Sequence, residues 1–121
     1  MILRGASVLL CFLLAAGSAS AEGWTIKDLG GTPTEVACVD LAWDIFTRYR
    51  DARSVGDLQR TGWVVYGYDL SSDDYDGVIT CSFGPDDTTR ATLVVYSAGD
   101  ADTDERRRIA SRLESYWDQM K

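Results

Sequence analysis

The stretch GDADTDE at residues 99–105 comes closest to a chemical site in its residue types and spacing. Its carboxylates at alternate positions are Asp100, Asp102 and Asp104. An EF-hand calcium loop begins with this spacing, but it also requires glycine at its sixth position and glutamate at its twelfth. This chain has Glu105 and Ser111 there. The motif is therefore a fragment, and the acidic first turn of a helix, capped by Asp102 or Thr103, explains the same residues.

A second acidic group surrounds the predicted loop that follows residue 68. Its members are Asp69, Asp73, Asp74 and Asp76. Hairpin loops alternate between the two ends of a sheet, so we expect this loop and the one at residues 99–105 to lie at the same end. The sequence indicates no cofactor, and the alternative is a calcium ion bound by carboxylate oxygens of both loops. The ligands would then be Asp73, Asp74, Asp76, Asp100, Asp102 and Asp104. Ordinary turn chemistry and solubility account for the same acids.

Histidine is absent from the whole chain. This excludes imidazole acid–base catalysis, triads that use imidazole, and most zinc sites. A small enzyme that depends on carboxylates is the weakest of the alternatives, because the acids cluster beside one another in loops. The sequence therefore favours a protein that is not an enzyme.

Residues 1–21 are typical of a secretory signal peptide. They combine a single early cation at Arg4, an apolar run at residues 8–16 and the small-residue cleavage signal Ala-Ser-Ala at residues 19–21. We expect cleavage after residue 21 to leave residues 22–121 as a single α+β domain in the periplasm or the extracellular medium. No other stretch is long and apolar enough for a membrane span, so no membrane association is expected after cleavage.

The charge balance is acidic, with 12 basic and 19 acidic residues and a formal net charge of −7, which becomes −8 without Arg4. The cluster Arg106–Arg108 follows directly on an acidic loop. Because polyanions require an extended basic surface, nucleic acid is not an expected partner.

Two cysteines, Cys38 and Cys81, remain after removal of the leader and its Cys11. In an oxidising compartment a lone pair most simply forms one disulfide.

Apolar residues at helical spacing predict two amphipathic helices, one opening at Thr32–Glu35 with Thr32 as N-cap and one over residues 103–119. Three runs rich in β-branched and aromatic residues predict strands at 63–68, 78–83 and 91–96, and residues 24–27 add an optional edge strand. The order is (β)-α-β-β-β-α. The predicted fold is α+β, a three- or four-stranded antiparallel meander with both helices packed on one face and one disulfide.

The disulfide determines which face of the sheet is hidden. Cys38 lies on the apolar stripe of the first helix, so Cys81 should face that helix. If Tyr66 and Leu93 lie opposite Cys81 in the two hairpins, the other face carries an apolar patch. Its predicted members are Trp63, Val65, Val78, Val94 and Tyr96. Either the segment around Trp24 or a second protomer covers this patch, or another protein binds it.

The sequence therefore predicts a small exported protein that binds rather than catalyses and that recognises a protein partner through an open sheet face. A homodimer through the same face is the other arrangement left open. The alternatives are a calcium-binding module and, more weakly, the carboxylate enzyme.

Overall fold

The computed structural model describes residues 23–53, 56–99 and 101–121. In this part the chain forms a five-stranded antiparallel sheet and two helices, in the order β-α-β-β-β-β-α. The strands are β1 (Gly23–Thr32), β2 (Leu58–Thr61), β3 (Val64–Gly67), β4 (Tyr75–Phe83) and β5 (Thr89–Ser97), and the helices are α1 (Glu35–Arg53) and α2 (Thr103–Met120). The predicted α+β fold is confirmed, with five strands instead of three or four. The predicted leader lies outside the described residues, and no described helix has the length and apolar character of a membrane span.

The spatial order of the strands is β1-β5-β4-β3-β2. The optional edge strand around residues 24–27 is real and much longer than expected, because β1 pairs with β5 along its length except at an irregularity between Asp28 and Gly30. The additional strand, β2, pairs with β3 through a tight turn at residues 62–63. Its sequence, LQRT, has little alternation of apolar and polar residues, so no sequence pattern indicated it.

The predicted disulfide between Cys38 and Cys81 is present, with 6.0 Å between the two Cα atoms. It joins α1 to the central strand β4. Both helices lie on the face of the sheet that carries Cys81, which we call the inner face. Two polar contacts on the same side tie β1 to α2: Arg106 Nε donates to Thr25 Oγ1 at 3.0 Å, and Lys27 pairs with Glu114 at 3.6 Å.

The core fills the space between the inner face and the two helices. Its largest fully buried side chains are Trp117, Tyr49, Phe46, Ile45, Leu70, Ile79, Leu93, Ile109, Leu113, Val39, Val65 and Val95. Two opposed glycines, Gly67 and Gly77, make room for Phe46 and Leu70 against the backbone. A Cβ atom at Gly67 would lie 2.6 Å from Phe46 Cδ1, and one at Gly77 would lie 2.8 Å from Leu70 Cδ1. The aromatic ring on α1 therefore packs directly onto the sheet.

The two helices differ in how well the sequence predicted their first residues. The cap at Thr32 is wrong, because Thr32 is still paired in β1 with Thr89. The helix starts two residues later, where Thr34 Oγ1 accepts from the Ala37 amide at 3.1 Å. For α2 the N-cap is Asp102, one of the two residues predicted, and its carboxylate accepts from the Asp104 amide at 2.8 Å.

The turn between β4 and β5 suggests a stabilising substitution. Asp86 and Asp87 have consecutive positive φ angles of 63° and 56°, as in type I′ hairpin turns, which prefer Asn-Gly at these positions. We expect Asp87→Gly to raise the free energy of unfolding by about 0.5–1 kcal/mol, because glycine adopts this conformation without steric strain. Urea denaturation measures the change. The matched control is Asp73→Gly, at a loop residue without positive φ, and an equal gain there would contradict the explanation.

Candidate functional site

The face of the sheet that points away from the helices, the outer face, carries a row of apolar side chains. Alternation along each strand sends every second residue to this face. The register places one such residue from each of four strands side by side. From β3 across to β1 they are Tyr66, Val78, Val94 and Ile26. Ile26, at the edge of the sheet, is 66% exposed.

Aromatic rings extend this row toward one end of the sheet. Tyr96 lies between Asp76 and Trp24 in the neighbouring row. The rings of Trp24 and Tyr96 are in contact, with 4.6 Å between their centroids and 44° between their planes. On the other side, the rings of Tyr66 and Tyr68 are parallel within 8° at 6.1 Å. Trp24 is 65% exposed, although large aromatic residues are usually buried.

These two groups form one continuous surface, which we call the aromatic patch. It consists of Trp24, Ile26, Tyr66, Tyr68, Val78, Val94 and Tyr96. A shallow hollow of about 240 Å³ lies within it. Tyrosine and tryptophan side chains offer large contact areas and few rotatable bonds, so little conformational entropy is lost when a partner covers them. The patch is therefore suited to binding by surface contact.

The other end of the outer face is polar. Its outward-facing residues are Thr80, Ser82, Arg90, Thr92 and Asp28, with Val64 beside Thr80 as the apolar exception. Arg90 donates to the Asp28 carboxylate at 2.7 Å, and the Gly30 amide donates to the same carboxylate at 2.9 Å. The hydrogen bond from the Gly30 amide and that from Arg90 lower the pKa of Asp28. Most of the apolar surface therefore lies at one end of the sheet.

Of the five residues predicted to form a contact surface, three lie in the aromatic patch: Val78, Val94 and Tyr96. The placement of Val65 on this face is wrong, because Val65 is fully buried on the inner face. Trp63 is about half exposed, but it belongs to the turn between β2 and β3, where its carbonyl accepts from the Cys81 amide at 2.8 Å.

A register error explains the misplacement of Val65. Tyr66 pairs with Val78 instead of Cys81, and Val65 pairs with Ile79, so β3 is shifted by three residues from the assumed alignment. Because side chains alternate between the two faces, a shift by an odd number of residues exchanges the faces of a strand. In β5 the partner of Cys81 is Ala91 rather than Leu93, but this shift of two residues leaves the faces unchanged. The outward positions of Val94 and Tyr96 were therefore correct.

The segment around Trp24 does not cover the patch, as one interpretation of the sequence expected. It belongs to β1 and contributes Trp24 and Ile26 to the patch itself. The sequence did contain a signal for this strand: residues Trp24–Lys27 alternate between apolar side chains, which face outward, and polar side chains, which face inward. Four residues were too few to distinguish an edge strand from a covering segment. Tyr66 and Tyr68 were missed because the same register error placed them on the inner face.

The two acidic loops lie together at one end of the sheet, as expected. The Ala98 amide donates to the Asp74 carbonyl at 3.0 Å, and the Tyr75 hydroxyl donates to the Asp102 carbonyl at 3.1 Å. Burial is the main cause that raises the pKa of Tyr75, so its hydroxyl remains a donor. The loop after β3 therefore packs against the residues that precede α2.

Within the described ranges, no three acidic or cysteine side chains form a group that could hold a metal ion. Asp102 uses one carboxylate oxygen to cap α2, and Asp100 lies outside the described residues. The calcium interpretation gains no support from the geometry of this part of the chain.

The acidic loop nevertheless gives the aromatic patch a negatively charged border. Its four carboxylates, on Asp69, Asp73, Asp74 and Asp76, form no salt bridge within the part of the chain described. Asp76 lines the hollow of the patch and also accepts from the Asp69 amide at 3.1 Å. A cationic partner would meet uncompensated negative charge beside an apolar contact surface.

Comparison with known proteins gives no family to which the chain could be assigned: no family model matches it, and neither a curated protein nor a solved structure matches it significantly.

Proposed function

We propose that this is an exported binding or accessory protein that recognises a protein partner through the aromatic patch. The observation that carries the proposal is the exposure of Trp24 and Ile26, at 65% and 66%, at the edge of a contiguous patch of three tyrosines and two valines. Contiguous exposed apolar surface on a folded chain usually marks a contact site. Tryptophan and tyrosine are also over-represented among the residues that contribute most to protein–protein binding.

Charge favours a basic partner. The chain has a formal net charge of −7, and the four aspartates that border the patch are free of salt bridges among the described residues. Complementary charge around an apolar centre accelerates association and excludes partners of like charge. We therefore expect the partner to present an apolar centre with lysine or arginine at its rim.

Two further observations support export and a role without catalysis. The chain has a disulfide between Cys38 and Cys81, and disulfides persist mainly in oxidising compartments. Residues 1–21 are typical of a signal peptide. The chain contains no histidine, and the disulfide leaves no free thiol in the expected mature chain. Histidine, which most often serves as the general base, and the cysteine thiolate nucleophile are therefore missing.

The test is photocrosslinking from the patch followed by measurement of affinity. A photoreactive phenylalanine analogue replaces Tyr96, and the protein is incubated with the exported fraction of the cells that produce it. The crosslinked protein is identified, purified and titrated against the unmodified chain. We expect Trp24→Ser and Tyr96→Ser each to weaken binding by about 30-fold, which corresponds to about 2 kcal/mol for a central aromatic contact. The affinity should also fall as salt concentration rises.

Phe83→Ser is the matched control, because Phe83 is 79% exposed but lies at the opposite end of β4. Its affinity should equal that of the unmodified chain. If the Trp24 and Tyr96 variants bound the partner as tightly as the unmodified chain does, the proposal would be contradicted. So would a dimer in sedimentation experiments that the two patch variants dissociate, because a second copy of the chain would then occupy the patch.

A further inference from the structure

The exposed surface of the two helices carries a group of arginines beside its acidic residues. Six arginines on the outward sides of the two helices are Arg48, Arg50 and Arg53 on α1, and Arg107, Arg108 and Arg112 on α2. Only the cluster on α2 was visible as a run in the sequence. The packing of α1 beside α2 brings the arginines of the first helix to the same surface, opposite the aromatic patch.

A cleft between the two helices is the centre of this surface. Its volume is about 260 Å³. The lining residues are Tyr49, Arg53, Glu105, Arg108, Ile109 and Arg112. Sites for drug-sized molecules usually occupy about 300–1,000 Å³, so this cleft fits a small ion or a single head group. A neighbouring hollow shares Arg108 and Arg112 and adds Arg107.

The three arginines of the cleft differ in how far their charge is already satisfied. Arg108 is paired with two carboxylates: its Nη2 lies 2.8 Å from Glu105 Oε2 and 3.8 Å from Asp102 Oδ2. Arg53 lies over the ring of Tyr49 at 5.2 Å, an interaction that leaves its N–H groups available. Arg112 forms no hydrogen bond or salt bridge with any residue that the structure describes. Two guanidinium groups can therefore bind a ligand without losing an anionic partner.

Tyr49 adds a neutral donor at the base of the cleft. The side chain is almost completely buried, and burial is the main cause that raises its pKa. The hydroxyl is consequently protonated at neutral pH and available to donate. A phenol beside guanidinium groups is a donor set that suits an anion with several acceptor oxygens.

We propose that the cleft between α1 and α2 binds a phosphate group, through Arg53 and Arg112 with the Tyr49 hydroxyl as an additional donor. Three arginines and one glutamate give the lining a formal charge of +2, which matches a phosphate dianion better than a singly charged carboxylate. The planar guanidinium fork also matches the spacing of phosphate oxygens. Of the acidic loop before α2, Asp102 lies 3.8 Å from Arg108, so its charge acts on Arg108. The proposed contacts are made by Arg53 and Arg112, which have no salt bridge to a described residue.

Isothermal titration of the purified chain with inorganic phosphate tests the proposal. Ionic strength is held constant with chloride, so that general screening does not contribute. We expect saturable binding of one phosphate per chain and a melting temperature that rises with phosphate concentration. Arg112→Gln should weaken binding by about tenfold or more, since it removes a charged hydrogen-bonding group. The melting temperature without phosphate should stay unchanged, because Arg112 has no ion pair to lose.

The matched control is Arg50→Gln, which removes the same charge from α1 outside the cleft. Arg50 is near Asp51, at 3.9 Å, and does not line the cleft. Its phosphate affinity should remain within about twofold of that of the unmodified chain. Failure to bind phosphate above the chloride background would overturn the proposal. Equal weakening by Arg50→Gln and Arg112→Gln would also overturn it, because binding would then reflect total charge.

Vesicles distinguish a soluble phosphate from a lipid head group. Sedimentation with phosphatidylglycerol vesicles that depends on Arg112, and is absent with phosphatidylcholine, would identify an anionic head group as the source. Binding of inorganic phosphate without vesicle binding would identify a soluble ligand. Either result supports a phosphate site, and neither depends on the aromatic patch.

Discussion

Replacing Cys38 and Cys81 together by alanine is expected to lower the free energy of unfolding by roughly 4 kcal/mol. The bond closes a loop with a sequence separation of 43 residues, and chain-entropy estimates give about this value for such a loop. A small domain has a total stability of about 5–15 kcal/mol, so the loss is a large fraction of the whole. Both cysteines are buried, and the small cavities left by alanine add to the loss.

Thermal and urea denaturation measure this effect. A domain of this size loses about 4–8 °C of melting temperature per kcal/mol, so the expected fall is about 20 °C. A reducing agent should destabilise the unmodified protein to a similar extent and leave the double variant unchanged. A double variant that melts within a few degrees of the oxidised protein would show that the bond is dispensable for the orientation of α1 on β4.

The second large effect is expected for Phe46→Ala, at about 3–5 kcal/mol of lost stability. Phe46 is fully buried on α1, and its ring fills the space that Gly67 and Gly77 leave on the inner face. Neither glycine has a side chain that could move into the vacated volume. The cavity should therefore persist, and the loss should include the cavity term as well as the loss of buried apolar area.

Val36→Ala is the control on the same helix, because Val36 is 57% exposed. A surface change of this kind usually alters stability by no more than about 0.5 kcal/mol. Both variants should be compared by urea denaturation with the disulfide intact. If Phe46→Ala lost no more stability than Val36→Ala, the direct packing of the ring on the two glycines would be refuted.

The packing of Phe46 also explains which parts of the fold could be predicted from the sequence. The α+β class, the two helices, the three central strands and the disulfide all followed from periodicity, β-branched composition and cysteine count. The alignment of β3 did not. In the run from Trp63 to Tyr68 both alternating sets contain apolar residues, so alternation alone does not define the buried set.

The wrong set was placed inward in β3 because Tyr66 was assumed to lie opposite Cys81, and the composition of the strand does not correct that assumption. The buried set includes Gly67, which has no apolar side chain and suggests an outward position when judged by hydrophobicity. It is inside because the ring of Phe46, from a helix about twenty positions earlier in the chain, occupies its place. Only the tertiary arrangement contains that information. The same limit applies to the cleft, because Arg53 and Arg112 are brought together by helix packing alone.

The most direct test of the central claim, that the aromatic patch is a free surface that a partner covers, is hydroxyl-radical footprinting with mass spectrometry. The experiment compares the purified chain alone with the chain bound to the purified partner that the crosslinking identified. Trp24 and Tyr96 should be oxidised rapidly in the purified chain and become protected in the complex. Exposed Phe83 should react equally in both, and buried Trp117 should react in neither. Protection of Trp24 and Tyr96 already in the purified chain, or unchanged oxidation of both in the complex, would contradict the account.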